Sequence, residues 1–323
     1  MGLKTIFLMF AIVIAAAGTV LSQQSGYLSE WDDFRTKLIR KEKSFQAAEP
    51  LEDGRDGFQL VTYSSDGMIL KALLKKGQAA KRDRRPAVVY LHGGFALTYG
   101  QMEFTRGFSE AGFVVLAPSW RGENSNPGHF ELFLGEVRDA KAAVRWLAKQ
   151  DYVDPERIYI FGWSVGGGIA LNLSLHGDIP VRLSGSSAGI YDRELIRSWA
   201  TEDDYIKFPY DHTDERENYF RLPIYNLKSM VRPHIAFVGS EDGYDDAAKL
   251  LADLYPDQKT RLDLRKLAGD HVSSVKPAVE QFIKMIWSLE EANSDRGYSG
   301  PTKTFSAQAT RDSCVLRAVR DKA

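Results

Sequence analysis

The chain has 323 residues, 44% of them apolar, and a formal net charge of -1 from 42 basic and 43 acidic side chains. That balance excludes a polybasic nucleic-acid or membrane-surface contact, and the length suits one large domain with a substantial core. A single cysteine, Cys314, excludes an intramolecular disulfide and lies far from every motif, as an idle thiol would.

Lys4 precedes an apolar run from Thr5 to Leu21, followed by Ser22. A basic residue, an apolar stretch at the short edge of what spans a bilayer, and small residues beyond it are expected of a secretory signal peptide over residues 1–22. Export, secreted or periplasmic, is therefore expected, without stable membrane association after cleavage. The alternative is an uncleaved N-terminal anchor. Residues 23–57 form a polar extension with a helix expected near Trp31–Lys43.

Phe58–Tyr63 and Met68–Leu74 flank Asp66-Gly67 and predict an antiparallel hairpin. Strands and helices then alternate. Strands are predicted at Ala87–Leu91, Phe113–Ala117, Arg157–Phe161, Leu183–Ser187, His234–Val238 and Arg261–Lys266. Helices are predicted at Met102–Ala111 (stopped by Gly112), Leu132–Lys149, Val165–Leu175, Ala247–Leu254 and Val275–Trp287. The last carries Val275, Val279, Phe282 and Ile286 on one face. Such alternation implies an α/β fold, a mostly parallel sheet with helices on both faces. Residues 190–230 break the rhythm with acidic and aromatic residues, and are expected as a cap-like insertion over the sheet's C-terminal edge. The catalytic domain spans 58–291, and 292–323 is a Ser/Thr/Arg/Asp-rich tail expected to be disordered.

Gly162-Trp163-Ser164-Val165-Gly166 lies between the run Ile158–Phe161 and the small residues Gly167-Gly168-Ile169-Ala170. This is G-x-S-x-G in its strand, turn and helix context. The glycines let a tight turn hold the Ser164 hydroxyl out above a helix N-terminus. A serine needs a base, and bases in parallel sheets gather at the carboxyl ends of strands. Of the six histidines, His271 in Gly269-Asp270-His271 follows such a strand, whereas His234 begins one and His129, His176 and His212 lie elsewhere. The orienting carboxylate belongs in Ser240-Glu241-Asp242-Gly243, with Asp242 first and Glu241, Asp245 and Asp246 as neighbours. Oxyanion donors are expected from Val165 N–H and, in His92-Gly93-Gly94-Phe95, from Gly94 N–H. His92 is expected to order that loop, and Phe95 and Trp163 to line the substrate site.

Glu136 and Asp139 are expected to be solvated or paired with arginines. Arg121-Gly122-Glu123 could equally line the pocket or order a loop. Asn172-Leu173-Ser174 is a glycosylation sequon on a helix expected to be packed. No residues have metal-ligand spacing, so neither metal nor other cofactor is expected.

With these residues in place the chain resembles the α/β-hydrolase superfamily. More narrowly, it resembles the catalytic domain of the prolyl oligopeptidase (S9) family and its acylaminoacyl-peptidase-like and dienelactone-hydrolase-like relatives. The resemblance is carried by Val153–Gly167, His92-Gly93-Gly94, Arg121-Gly122-Glu123 and Gly269-Asp270-His271, over about residues 55–290. It implies a serine hydrolase acting on a small ester or short peptide through Ser164, Asp242 and His271. Family peptidases carry a large N-terminal β-propeller, and residues 23–57 stand in its place here. The competing expectation is a catalytically silent hydrolase fold used for binding.

Overall fold

The computed structural model describes residues 26–46, 48–77, 84–192, 206–243 and 261–294. The expected leader, the helix at Ala247–Leu254 and the tail beyond 294 lie outside them.

Eight strands form one sheet in the order β1-β2-β4-β3-β5-β6-β7-β8. They are β1 (Gln59–Ser65), β2 (Met68–Lys75), β3 (Arg85–Leu91), β4 (Val114–Pro118), β5 (Val153–Trp163), β6 (Leu183–Ser187), β7 (His234–Gly239) and β8 (Leu262–Leu267). β1 and β2 are antiparallel, as are β2 and β4, and all other pairs are parallel. Asp66 and Gly67 turn the hairpin with φ of 46° and 76°, the paired left-handed conformations that a two-residue Asp-Gly turn supplies.

The central strands β3 and β4 are apolar on both sides and feed two cores by alternation. In β3, Ala87, Val89 and Leu91 face one layer and Val88 and Tyr90 the other. The first layer contains α4 (Gly135–Ala148) and α5 (Val165–Leu173). The second contains α3 (Arg106–Glu110) and α7 (Val275–Ser294), with Val275, Val279, Phe282 and Ile286 all buried.

Several helix bounds differ from expectation. Helix α1 covers 26–33, not Trp31–Lys43. Arg138 donates to the carbonyls of Trp31 and Phe34, satisfying the helix's last turn and ending it there. The helix expected at Met102–Ala111 is three short pieces: α2 (Tyr99–Met102), a 3-10 turn at Glu103–Thr105, and α3. Helix α4 starts at Gly135 because Leu132 and Phe133 are left-handed, φ 55° and 70°. Glu136 Oε1 holds that loop by accepting from the N–H groups of Glu131 and Leu132. Helix α7 runs past Trp287, where Glu290 pairs with Arg157 and Arg182 and accepts from the Tyr159 hydroxyl.

Within 206–230, α6 (Glu215–Arg221) is capped by Asp214, which accepts from the N–H groups of Arg216 and Glu217. It packs on the N-terminal segment. Trp31 Nε1 donates to Phe220 O, and Arg221 bridges Glu217, Thr36 and the Leu132 carbonyl. Asn172 is buried, its amide donating to Arg221 O, which leaves the sequon no room for a glycan.

Candidate active site

The site is built where four parallel strands end. The turn after β5 carries Ser164 with φ 54° and ψ -117°, a backbone that a non-glycine residue holds only under constraint. A methyl on Gly162 would run into the Gly166 carbonyl, and one on Gly166 into that of Leu91, so the elbow closes only with hydrogen at both positions. Ser164 N–H donates to Ser187 O, and its own carbonyl accepts from Gly167 and Gly168. The hydroxyl stands at the start of α5, where the N-terminal N–H groups lack intrahelical acceptors and carry partial positive charge. Val165 is the first residue of that helix.

His271 Nε2 lies 3.1 Å from Ser164 Oγ. Its Nδ1 lies 3.2 Å from each Asp242 oxygen. The Asp242 side chain is 1% exposed and that of His271 31%. The three residues, from three strand ends, thus stand in one hydrogen-bonded line. Glu241, the neighbour weighed against Asp242, is exposed, and Asp245 and Asp246 lie outside the described residues. The loops carrying Asp242 and His271 touch: Glu241 N–H donates to Gly269 O, and a side chain on Gly239 would strike that same carbonyl.

Asp270 braces the histidine loop. Its Oδ1 accepts from the N–H groups of Val272 and Ser273 and from the Ser273 hydroxyl. Those bonds from Ser273 and Val272 pull its pKa down to about 2, because they favour the ionised carboxylate. The pattern of an acidic residue before a helix was available in the sequence as a capping signal.

Gly94 sits at the tip of the loop after β3 with φ +66°. The Phe95 ring is buried against Phe45 and Phe130, at 4.9 and 5.4 Å between centroids. Trp163 is half-buried against Phe104 and His271, and its Nε1–H donates to the His271 carbonyl at 2.9 Å. His92 is fully buried, stacked on Trp120, with Nε2 3.1 Å from Glu123 Oε2.

Arg121 faces Asp139, Glu131 and Asp66, so Arg121-Gly122-Glu123 orders the loop from two sides. Asp139 is paired as expected. Glu136 is neither solvated nor paired with an arginine; burial raises its pKa to about 8. His234, at the opposite edge, is buried between Ser184 and Ser186, and burial lowers its pKa to about 3. His176 is also buried and held neutral by burial and by Lys141. Its Nδ1 therefore accepts from Lys141 Nζ and its Nε2 donates to Asn172. Among the described residues no group of His, Cys, Asp and Glu is placed to hold a metal.

Residues 102–281, more than half of the chain, match the prolyl oligopeptidase family. Among curated proteins, the chain is 38% identical over 110 residues to an uncharacterized peptidase, YtmA, of Bacillus subtilis (strain 168), covering 33% of this chain and 41% of that one. It is 33% identical over 129 residues to an uncharacterized protein of Mycobacterium tuberculosis (strain CDC 1551 / Oshkosh), covering 40% and 44%. The matches thus span less than half the length of these relatives.

Among solved structures, a puromycin-hydrolyzing peptidase of Mycobacterium tuberculosis superposes with TM-score 0.60 at 20% identity. It covers 72% of this chain and 40% of that one. A hyperthermophilic esterase of the archaeon Pyrobaculum calidifontis superposes with TM-score 0.57 at 18% identity, covering 85% and 93%. At such identities the likeness is one of fold, the α/β-hydrolase fold.

Proposed function

The chain belongs to the prolyl oligopeptidase family, and we propose that it is a serine hydrolase in which Ser164 is the nucleophile, His271 the general base and Asp242 its orienting carboxylate. The observation that carries this is the unbroken run of contacts from Ser164 Oγ through the His271 ring to Asp242, at 3.1 and 3.2 Å.

The chemistry follows from those contacts. Asp242 keeps the His271 proton on Nδ1, so Nε2 presents its lone pair to Ser164. As Ser164 Oγ attacks the substrate carbonyl carbon, its proton passes to Nε2. The carbonyl oxygen becomes an oxyanion, held by Val165 N–H and Gly94 N–H. Collapse breaks the bond to the leaving alcohol or amine, which takes the proton from Nε2 and leaves an acyl-enzyme on Ser164. A water molecule then gives its proton to Nε2, attacks the ester, and frees the acid as Ser164 regains its proton.

The substrate is a small ester, with short peptides and acyl-amino acids second. The Pyrobaculum calidifontis esterase, which this chain covers over 93%, gives ester hydrolysis a precedent on this fold. A charge near zero gives no basis for a nucleic-acid partner. The apolar leader supports export, with a mature chain beginning near residue 23; N-terminal sequencing of the secreted protein checks this.

Hydrolysis of p-nitrophenyl acetate compared with aminoacyl-p-nitroanilides tests the function. The ester should turn over faster, and both activities should vanish in Ser164→Ala. Hydrolysis surviving that substitution would remove Ser164 from the mechanism.

A further inference from the structure

Residues 38–46 and 48–52 run as a strap over the loops at the carboxyl edge of the sheet. Leu38 bridges to Tyr210, Glu42 O accepts from Phe130 N–H, and Lys43 Nζ donates to the carbonyls of Asn126 and Gly128. Ser44 N–H donates to Gly122 O, and Glu52 N–H donates to the Tyr99 hydroxyl. Over the loop after β3, the strap takes both backbone groups of Phe95. Gln46 Oε1 accepts from Phe95 N–H at 2.7 Å, and the Ser44 hydroxyl donates to Phe95 O.

On the other side of Gly94, Gln101 Nε2 donates to Gly93 O at 2.7 Å, with His92 Nδ1 3.1 Å from the same oxygen. Gln101 uses its own oxygen to accept from Thr98 N–H. The two peptide planes flanking Gly94 are therefore each gripped by a glutamine. A glycine at φ +66° has no side chain to resist peptide rotation. Because a peptide is planar and trans, fixing Gly93 O fixes the direction of Gly94 N–H on the opposite side of that plane. Fixing Phe95 N–H blocks rotation from the other end.

Resting on Ser164 as the nucleophile, we propose that Gln46 and Gln101 are positioning residues, a clamp that aims Gly94 N–H at the oxyanion of the acyl-transfer intermediate. Gln46 acts as an acceptor and Gln101 as a donor, so the same change has opposite consequences at the two positions. Glutamate at 46 still accepts from Phe95 N–H. Glutamate at 101 still accepts from Thr98 N–H but sets a carboxylate oxygen against Gly93 O.

The test uses the full chain with p-nitrophenyl acetate, a boronic acid as tetrahedral analogue, and fluorophosphonate titration of active sites. In Gln46→Ala and Gln101→Glu, kcat per titrated site should fall roughly 10-fold or more, the scale of a misplaced oxyanion donor. KM should stay within about 2-fold, and boronate affinity should fall with kcat. Gln46→Glu should restore most of the loss. Any other pattern overturns the clamp: unchanged kcat in either variant, equal loss in both substitutions at 46, or loss explained by fewer titrated sites and a lower melting temperature. A wild-type chain that does not take up the fluorophosphonate would remove the nucleophile itself, and the clamp with it.

Discussion

The indole N–H of Trp163 donates to the backbone carbonyl of His271 at 2.9 Å, and the two rings lie 5.6 Å apart. The residue before Ser164 therefore holds the loop that carries His271, although the two are distant in sequence. Phe104 packs on the indole at 5.1 Å and fixes its orientation. Trp163→Phe keeps an aromatic ring, though a smaller one, and removes the donor. A neutral hydrogen bond of this kind is worth about 1 kcal/mol, so kcat should fall roughly 5-fold with KM little changed. Steady-state kinetics on p-nitrophenyl acetate measures this, and an unchanged kcat would show that the His271 loop holds itself.

Arg121 joins elements far apart in the chain. It donates to Asp139 on α4, to Glu131 in the preceding loop and to Asp66 in the β1–β2 turn. Burial alone would lower its pKa, but the hydrogen bonds and charge of Asp139, with Glu131 and Asp66, hold it well above the usual arginine value. Arg121→Met would leave the fully buried Asp139 without its cation, which costs about 3–5 kcal/mol. Urea denaturation should find that loss, and the double variant with Asp139→Asn should recover part of it.

Glu136 gives stability a pH dependence of defined sign. Burial raises its folded pKa to about 8, from 4.5 for the free group. Between those values the folded state holds a proton that the unfolded state has released. Stability therefore falls as pH rises through that window. Glu136→Gln retains an acceptor for the N–H groups of Glu131 and Leu132 and removes the titration. Melting temperatures from pH 5 to 8 should decline more steeply in the wild type than in the variant; parallel curves would contradict the assignment.

The fold was legible because each level of the sequence agreed. The continuous apolar run Ala87–Leu91 became a central strand, and Asp66-Gly67 became the hairpin turn. What misled was local irregularity imposed by tertiary contacts. Leu132 and Phe133 carry a helical pattern, yet Glu136 holds their backbone in a left-handed loop. Glu290 extends α7 through partners on β5 and beside β6.

Ser164, Asp242 and His271 could be located because each follows a strand, and strand ends are readable from pattern. The Gln46 contact could not be located that way. Residue 46 lies in a polar stretch without periodicity, and its role comes only from where the chain passes in space. Trp163 was expected to line the substrate site; its bond to the His271 carbonyl was not legible, since a backbone acceptor leaves no mark on residue identity.

Activation of the Ser164 hydroxyl by His271 is read out by intact-protein mass spectrometry after exposure to a fluorophosphonate. One adduct per chain, mapped to the peptide containing Ser164, should form rapidly in the wild type, drop sharply in His271→Ala and be absent in Ser164→Ala. Equal labelling of wild type and His271→Ala, or an adduct persisting in Ser164→Ala, would contradict it.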